Sequence, residues 1–98
     1  MGYDALFEPI SIGNMELKNR LAVAPMNAGY AGPNGYASDQ YLAYYATRAR
    51  GGFGLIITTA AMVNPHNWAG CEKMNPLMFS DHRFYRYWSE IVRAVHYY

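Results

Sequence analysis

Residues 38–59 read SDQYLAYYATRARGGFGLIITT, and this stretch decides the fold class. Ser38 belongs to the residue types whose side-chain oxygen caps a helix N-terminus, and Asp39 in the first turn suits the positive end of the helix dipole. Leu42, Tyr45, Ala46 and Ala49 follow at helical spacing. Gly51-Gly52 ends the helix, because glycine readily takes the left-handed conformation that closes one. Gly54–Thr59, GLIITT, is then apolar and β-branched, the composition of a strand buried on both faces. Upstream, Leu21–Met26, LAVAPM, is a second short apolar run, and Pro25, lacking an N–H, stops a strand ladder near it. Strand, helix and strand within residues 21–59 make a βαβ unit, expected to be parallel and right-handed.

Working outward, residues 6–18, LFEPISIGNMELK, alternate roughly between apolar and polar. The turn dipeptide Gly13-Asn14 divides them into a hairpin with arms Leu6–Ile12 and Met15–Leu17, and Pro9 makes the first arm an edge. Downstream, residues 61–79 form a long loop, and Ser80 is expected to cap a second helix. Its buried face is Phe84, Tyr87, Trp88, Ile91, Val92 and Val95, at i, i+3, i+4, i+7, i+8 and i+11. Arg86 and Glu90 pair on the solvated side, a contact worth about 0.2–0.5 kcal/mol. The helix returns to its strand through Gly51-Gly52, whereas the strands reach their helices through residues 27–37 and 61–79. In (β/α) barrels and doubly wound sheets the elaborated loops follow the strand C-termini, where ligands bind, so this asymmetry locates a site without naming the fold.

Composition excludes several classes. The chain has 98 residues, 52% hydrophobic and 15% charged, with a net charge of +1 and no Lys/Arg run, so no nucleic-acid partner is expected. No apolar run approaches the roughly 18 residues of a membrane span, and the first ten residues lack the form of a secretory signal. The single cysteine, Cys71, makes no internal disulfide, which favours a reducing cytoplasmic setting. P-loop, GxGxxG, CxxC, HExxH and GxSxG signatures are absent, and His66, His82 and His96 lack metal-ligand spacing. No catalytic acid or base and no metal site is expected in this chain. A complete (β/α)8 barrel needs roughly 250 residues. The helical pattern runs out at Val95-His96-Tyr97-Tyr98 without a cap, and two parallel strands leave both sheet edges open, so the segment expects neighbours.

Three segments, LFEPISIGNMELKNRLAVAPM (6–26), YYATRARGGFGLIITTAA (44–61) and FSDHRFYRYWSEIVRAVH (79–96), together resemble the start of the old yellow enzyme family, the NADH:flavin oxidoreductases. The match runs from Leu6 to Tyr98, and the combined pattern LFxPxxxGxxxLKNR, APM and RAxGGxGLII is specific where each part alone is weak. The resemblance implies an α/β chain that forms the N-terminal hairpin (6–18) and the first two βα units (21–52 and 54–98) of a (β/α)8 TIM barrel, incomplete within this chain. It implies noncovalent FMN at the C-terminal mouth, reduced by NAD(P)H, with hydride then passing to the β-carbon of an activated alkene. Ala24, Pro25, Met26 and Asn27 at the end of the first strand, and Ala60 at the end of the second, would touch the flavin. Asn27 stands where the family often has Thr, Cys or Gly, which leaves its tuning of the flavin open.

Each assignment has a plainer alternative. Ala24-Pro25-Met26 also reads as a strand end in a packed core. Thr59 faces either the flavin or a helix. Tyr30 stands near a substrate-facing tyrosine of some members, one residue out of register, and is otherwise an ordinary loop aromatic. His66, Trp68 and Cys71 on the second loop border the substrate mouth or are unremarkable loop residues. Asn19-Arg20 precede the first strand and read as structural. The family's carbonyl-gripping pair, flavin pyrimidine and phosphate ligands and proton-donor tyrosine all lie further along than this chain reaches. An iron–sulfur cluster and an FAD region, present in larger relatives, belong to a downstream region. Expected partners are the rest of the barrel or a complementary chain and a small alkene substrate, and a homo-oligomer stays open. Two rival readings are a non-catalytic barrel piece that assembles with a complement or with itself, and a small independent α/β binding module.

Overall fold

A computed structural model of the chain describes residues 2–32, 35–64, 77–80 and 82–98. Strands β1 (Ile10–Ile12) and β2 (Met15–Leu17) form the expected antiparallel hairpin, with Ile10 opposite Leu17 and Ile12 opposite Met15. Its first arm is shorter than Leu6–Ile12, because Asp4–Phe7 coil into a 3-10 turn. The Leu6 carbonyl accepts the Arg20 N–H at 2.8 Å, which ties that turn to the segment entering the next strand.

β3 (Ala22–Val23) and β4 (Leu55–Ile56) are parallel neighbours, Ala22 beside Leu55 and Val23 beside Ile56, and α1 (Asp39–Arg50) connects them. The expected βαβ unit is therefore present, with strands shorter than Leu21–Met26 and Gly54–Thr59. Hydrogen bonding extends past the paired residues at both ends. Gly54 N–H donates to the Leu21 carbonyl at 3.0 Å and Ile57 N–H to the Val23 carbonyl at 3.1 Å. The ladder goes no further toward the N-H-less Pro25.

The Ser38 hydroxyl accepts the Tyr41 N–H at 3.2 Å, the expected N-cap, and itself donates to the Tyr30 carbonyl. At the other end the left-handed residue is Gly52, with φ +107°, while Gly51 stays right-handed. The fully buried stripe of α1 is Tyr41, Tyr45 and Ala49, with Leu42 and Ala46 half-buried beside it. Of the expected stripe Leu42, Tyr45, Ala46 and Ala49, the structure fully buries Tyr45 and Ala49 and adds Tyr41 at i−4.

Two corrections concern the second half. Ser80 does not cap a helix: a 3-10 turn, His82–Phe84, intervenes before α2 (Tyr85–His96). The Ser80 hydroxyl is buried with no hydrogen-bond partner among the described residues. Phe84, buried against the Tyr36 ring at 4.8 Å, anchors the tighter turn in its place. The buried face of α2 is also narrower than expected. Phe84 and Ile91 are buried and Trp88 and Val95 half-buried, but Tyr87 and Val92 are exposed. α1 is the one helix packed along α2 among the described residues, and a single neighbour covers a single stripe.

β5 (Ala61–Met62) and β6 (Leu77–Met78) form a further parallel pair inside what was read as an unstructured loop. They bring the two ends of that connection together, and residues 65–76 lie outside the described part. Ala31, Tyr41, Tyr45, Leu77 and Ile91 form the buried cluster, with Ile56 and Trp88 packed against it. The Trp88 indole N–H donates to the Met78 carbonyl at 3.0 Å, fixing α2 to β6.

At the N-terminal ends of β3 and β4, Asn19 acts as a clamp, as its structural reading requires. Its Nδ2 donates to the Gly52 carbonyl at 2.6 Å and its Oδ1 accepts the Leu21 N–H at 3.0 Å. The fit is close enough that a Cβ on Gly54 would stand 2.6 Å from the Asn19 carbonyl and side-chain oxygens. The molecule is elongated, 50 × 25 × 23 Å, with a radius of gyration of 15.2 Å. A compact globule of this length has about 13 Å.

Candidate functional site

Because β3 and β4 are parallel, their C-terminal ends lie at one edge of the sheet, opposite the Asn19 clamp. Ala24, Pro25, Met26 and Asn27 leave the first strand there, and Ala60 follows the second. All five are exposed. The N–H groups of Met26 and Ala60 are unpaired among the described residues. The edge therefore offers the small side chains of Ala24, Pro25 and Ala60, the larger apolar Met26, main-chain donors and one carboxamide. None of these five residues ionises, so they can bind and orient a molecule but cannot exchange protons with it.

The residues behind this edge come from α1. Tyr41 O–H donates to Asn27 Oδ1 at 3.1 Å, and Gly29 N–H donates to the same oxygen at 3.0 Å. One turn on, the Tyr45 hydroxyl accepts the Thr59 N–H at 2.7 Å. The two phenol rings stack at 5.7 Å with 10° between their planes. Thr59 is 4% exposed, and its main-chain N–H is directed to the helix. Burial pushes the Tyr45 phenol above its ordinary pKa, and the hydrogen bond from Thr59 opposes that rise in part.

Tyr30 packs edge-on against Tyr41 at 5.7 Å and Tyr44 at 6.0 Å, keeping 37% of its surface exposed beside the edge. His66, Trp68 and Cys71 lie outside the described residues. Two cavities among the described residues are lined by none of these five residues. One of about 450 Å³ is lined by Phe79, Tyr85, Trp88, Ser89, Val92 and Arg93, on the exposed side of α2. Another of about 280 Å³ lies between the hairpin and the end of α2. Sequence reasoning missed the roles of Tyr41 and Tyr45. The available signal was two phenols at i, i+4 on a buried stripe, since a buried tyrosine hydroxyl needs a partner.

Residues 5–98 match the NADH:flavin oxidoreductase / NADH oxidase family. The chain belongs to this family. Among its relatives, the NADH oxidase of Thermoanaerobacter brockii is 34% identical over 93 residues, covering 95% of this chain and 14% of the relative. The cinnamate reductase of Clostridium sporogenes is 39% identical over 84 residues, 79% of this chain and 13% of that protein. The old yellow enzyme from Trypanosoma cruzi superposes with a TM-score of 0.84 at 31% identity, over 99% of this chain and 25% of that one. The Old Yellow Enzyme from Pichia sp. AKU4542 superposes with a TM-score of 0.83 at 33% identity, over 99% and 24%. The resemblance read from the sequence is thus confirmed, and the family is one of flavin oxidoreductases that use NADH or NADPH. The chain spans about a seventh of these two curated relatives and about a quarter of the two solved ones. Among the described residues no helix is long and apolar enough to cross a membrane.

Proposed function

We propose that this chain is the flavin-facing start of an FMN-dependent oxidoreductase: an N-terminal hairpin and the first two βα units of a (β/α)8 barrel that reduces activated C=C bonds with NAD(P)H. The observation that carries this reading is the exposed edge where β3 and β4 end together. Ala24, Pro25, Asn27 and Ala60, with the larger apolar Met26, present uncharged surface there, beside main-chain donors. That surface fits a flat, polar-edged ring. A bulky side chain at Ala24 or Ala60 would hold the ring off, and donors at its rim stabilise electron density gained on reduction.

When bound, FMN supplies hydride transfer, from NAD(P)H to flavin and from flavin to the substrate β-carbon. The part played by this chain is support. Pro25 and Ala60 offer flat apolar contact, the N–H groups of Met26 and Ala60 offer donors, and Asn27 offers its carboxamide. Tyr30, at the margin of the same edge, borders the substrate mouth. The chain contributes no acid, base or carbonyl clamp, so those groups come from the remaining βα units, as do the walls that close the site and cover Val92 on α2. A chain of this length is inactive without them. An α,β-unsaturated carbonyl or carboxylate is the substrate class, supported by the cinnamate reductase among the relatives, since cinnamate is such a carboxylate. A lone cysteine fits a cytoplasmic setting.

The test uses the whole protein that carries this chain. It is expected to purify yellow and to release stoichiometric FMN on denaturation. NADH or NADPH should bleach the flavin band anaerobically, and cinnamate or a cyclic enone should restore it. A protein that purifies colourless and takes up no added FMN overturns the reading.

A further inference from the structure

We propose that Tyr45 is a positioning residue whose hydroxyl parts the tips of β3 and β4, by taking the main-chain N–H that would otherwise close the next rung of their ladder. The inference deepens the flavin reading above and rests on it. It follows from the register of the two strands. The Leu55 N–H donates to the Leu21 carbonyl at 3.3 Å and the Ile57 N–H to the Val23 carbonyl at 3.1 Å. Bonds of a parallel ladder recur every two residues on each strand. The next donor is therefore Thr59, and the acceptor that the register assigns to it is the Pro25 carbonyl. The observed acceptor is the Tyr45 hydroxyl, at 2.7 Å. The reciprocal bond of that rung would run from position 25 to the Ile57 carbonyl, and Pro25 has no N–H to make it. One bond of the rung is missing by sequence, and the other is diverted by the helix.

Tyr45 can hold this N–H because it is itself immobilised. Its side chain is 1% exposed, and its ring stacks on Tyr41 at 5.7 Å and meets Tyr44 edge-on at 5.1 Å. Thr59 is buried, so its N–H needs a partner, and either acceptor satisfies it. The choice decides the course of the chain beyond it. On the Pro25 carbonyl, Thr59 would carry the sheet spacing of about 4.8 Å out to the tips and draw Ala60 in beside the first strand. On Tyr45, the second strand leaves the ladder after Ile57 and turns to α1. The Pro25 carbonyl then accepts no main-chain hydrogen bond among the described residues, and Pro25 and Ala60 both stay exposed. The edge that receives a flat ring is thus held open from behind, by a side chain that does not touch the ring.

The experiment uses the full-length protein and its variants Tyr45→Phe and Tyr44→Phe. It measures the FMN dissociation constant by titration of the stripped proteins, the visible spectrum of the bound flavin, and the denaturation midpoint. Tyr45→Phe keeps the ring and its stacking but removes the acceptor. It is expected to shift the flavin band and to weaken FMN binding about tenfold, because the cofactor must reopen one hydrogen-bonded rung. Crystals of stripped Tyr45→Phe should show the Thr59 N–H on the Pro25 carbonyl at about 2.9 Å. Tyr44→Phe removes a hydroxyl from the same aromatic cluster without reaching Thr59, and its FMN affinity should match wild type. Should Tyr45→Phe fail to fold, Tyr45→4-fluorophenylalanine fills the space of the hydroxyl without a strong acceptor, and the same outcomes are read from it. An FMN affinity equal to wild type overturns the proposal. So does a weakened affinity with the strand tips unmoved, or an equal loss in Tyr44→Phe. A midpoint that falls while affinity and spectrum stay unchanged marks a merely structural tyrosine and overturns it too. A colourless wild type refutes the flavin reading, whereas a yellow wild type whose FMN affinity survives Tyr45→Phe refutes this inference alone.

Discussion

Gly54 has no room for a side chain. Its added Cβ would lie 2.6 Å from two oxygens of Asn19, one of them main-chain, and a backbone atom in a strand entry cannot swing aside. Gly54→Ala is expected to destabilise the protein by about 1–3 kcal/mol, the usual cost of overpacking. The check is a lower denaturation midpoint with an unchanged slope. The reading of Asn19 as structural was legible because it sits just before a buried strand, but the need for glycine at 54 was not. That need comes from a residue 35 positions earlier in the chain. Tyr45 gives a pH dependence. Its folded pKa lies above the ordinary tyrosine value of 10.0 because burial disfavours the phenolate. The folded state therefore holds the proton more tightly than the unfolded state. The stability tied to this group is complete below about pH 10, and it is lost as pH rises through the folded pKa. Melting temperature measured from pH 8 to 11 should fall more steeply for wild type than for Tyr45→Phe, and parallel curves would refute this.

At the scale of elements, local chemistry was readable and partnership was not. The Ser38 cap of α1 was evident from Ser-Asp before a helical pattern, and the hydroxyl does accept the Tyr41 N–H. The same rule failed at Ser80, because Phe84 finds a buried seat against Tyr36 and the chain tightens into a 3-10 turn before α2 begins. The stripe on α2 was overestimated for a related reason. Periodicity reports which residues are apolar, while burial depends on what is packed against them. Ile91, 2% exposed in the central cluster, should cost about 2–5 kcal/mol when cut to alanine. Val92, 47% exposed, costs far less within the described contacts. If the proposed further βα units cover α2 in the whole protein, Val92→Ala also becomes costly there. Chemical denaturation of both variants in the full-length protein reads this directly.

The whole molecule is longer and looser than a globule of its size, with Met26, Ile57, Val63 and Val92 exposed as large apolar side chains. Burial of apolar surface is the main favourable term in folding, so a chain shaped this way is stabilised by what covers it. The flavin reading makes the cofactor part of that cover. Stripping FMN from the full-length protein should lower its melting temperature. Restoring it at a hundredfold excess over its dissociation constant should recover about 2.7 kcal/mol, provided FMN binds the folded state alone. A melting temperature indifferent to FMN would count against the cradle.

By itself the sequence determined what depends on neighbours in the chain: the strand–helix–strand order, the Ser38 cap, the Gly51-Gly52 stop, the break at Pro25 and the family pattern across residues 6–96. Capping, helix spacing and the missing proline N–H act within a few residues, so they can be read locally. Only the tertiary structure decided the short ladder of β3 with β4, the β5–β6 pair, the narrow buried stripe of α2, and the bonds from Tyr41 to Asn27 and from Thr59 to Tyr45. Each of these joins residues far apart in sequence, and a phenol on a helix carries no local sign of which strand end will meet it.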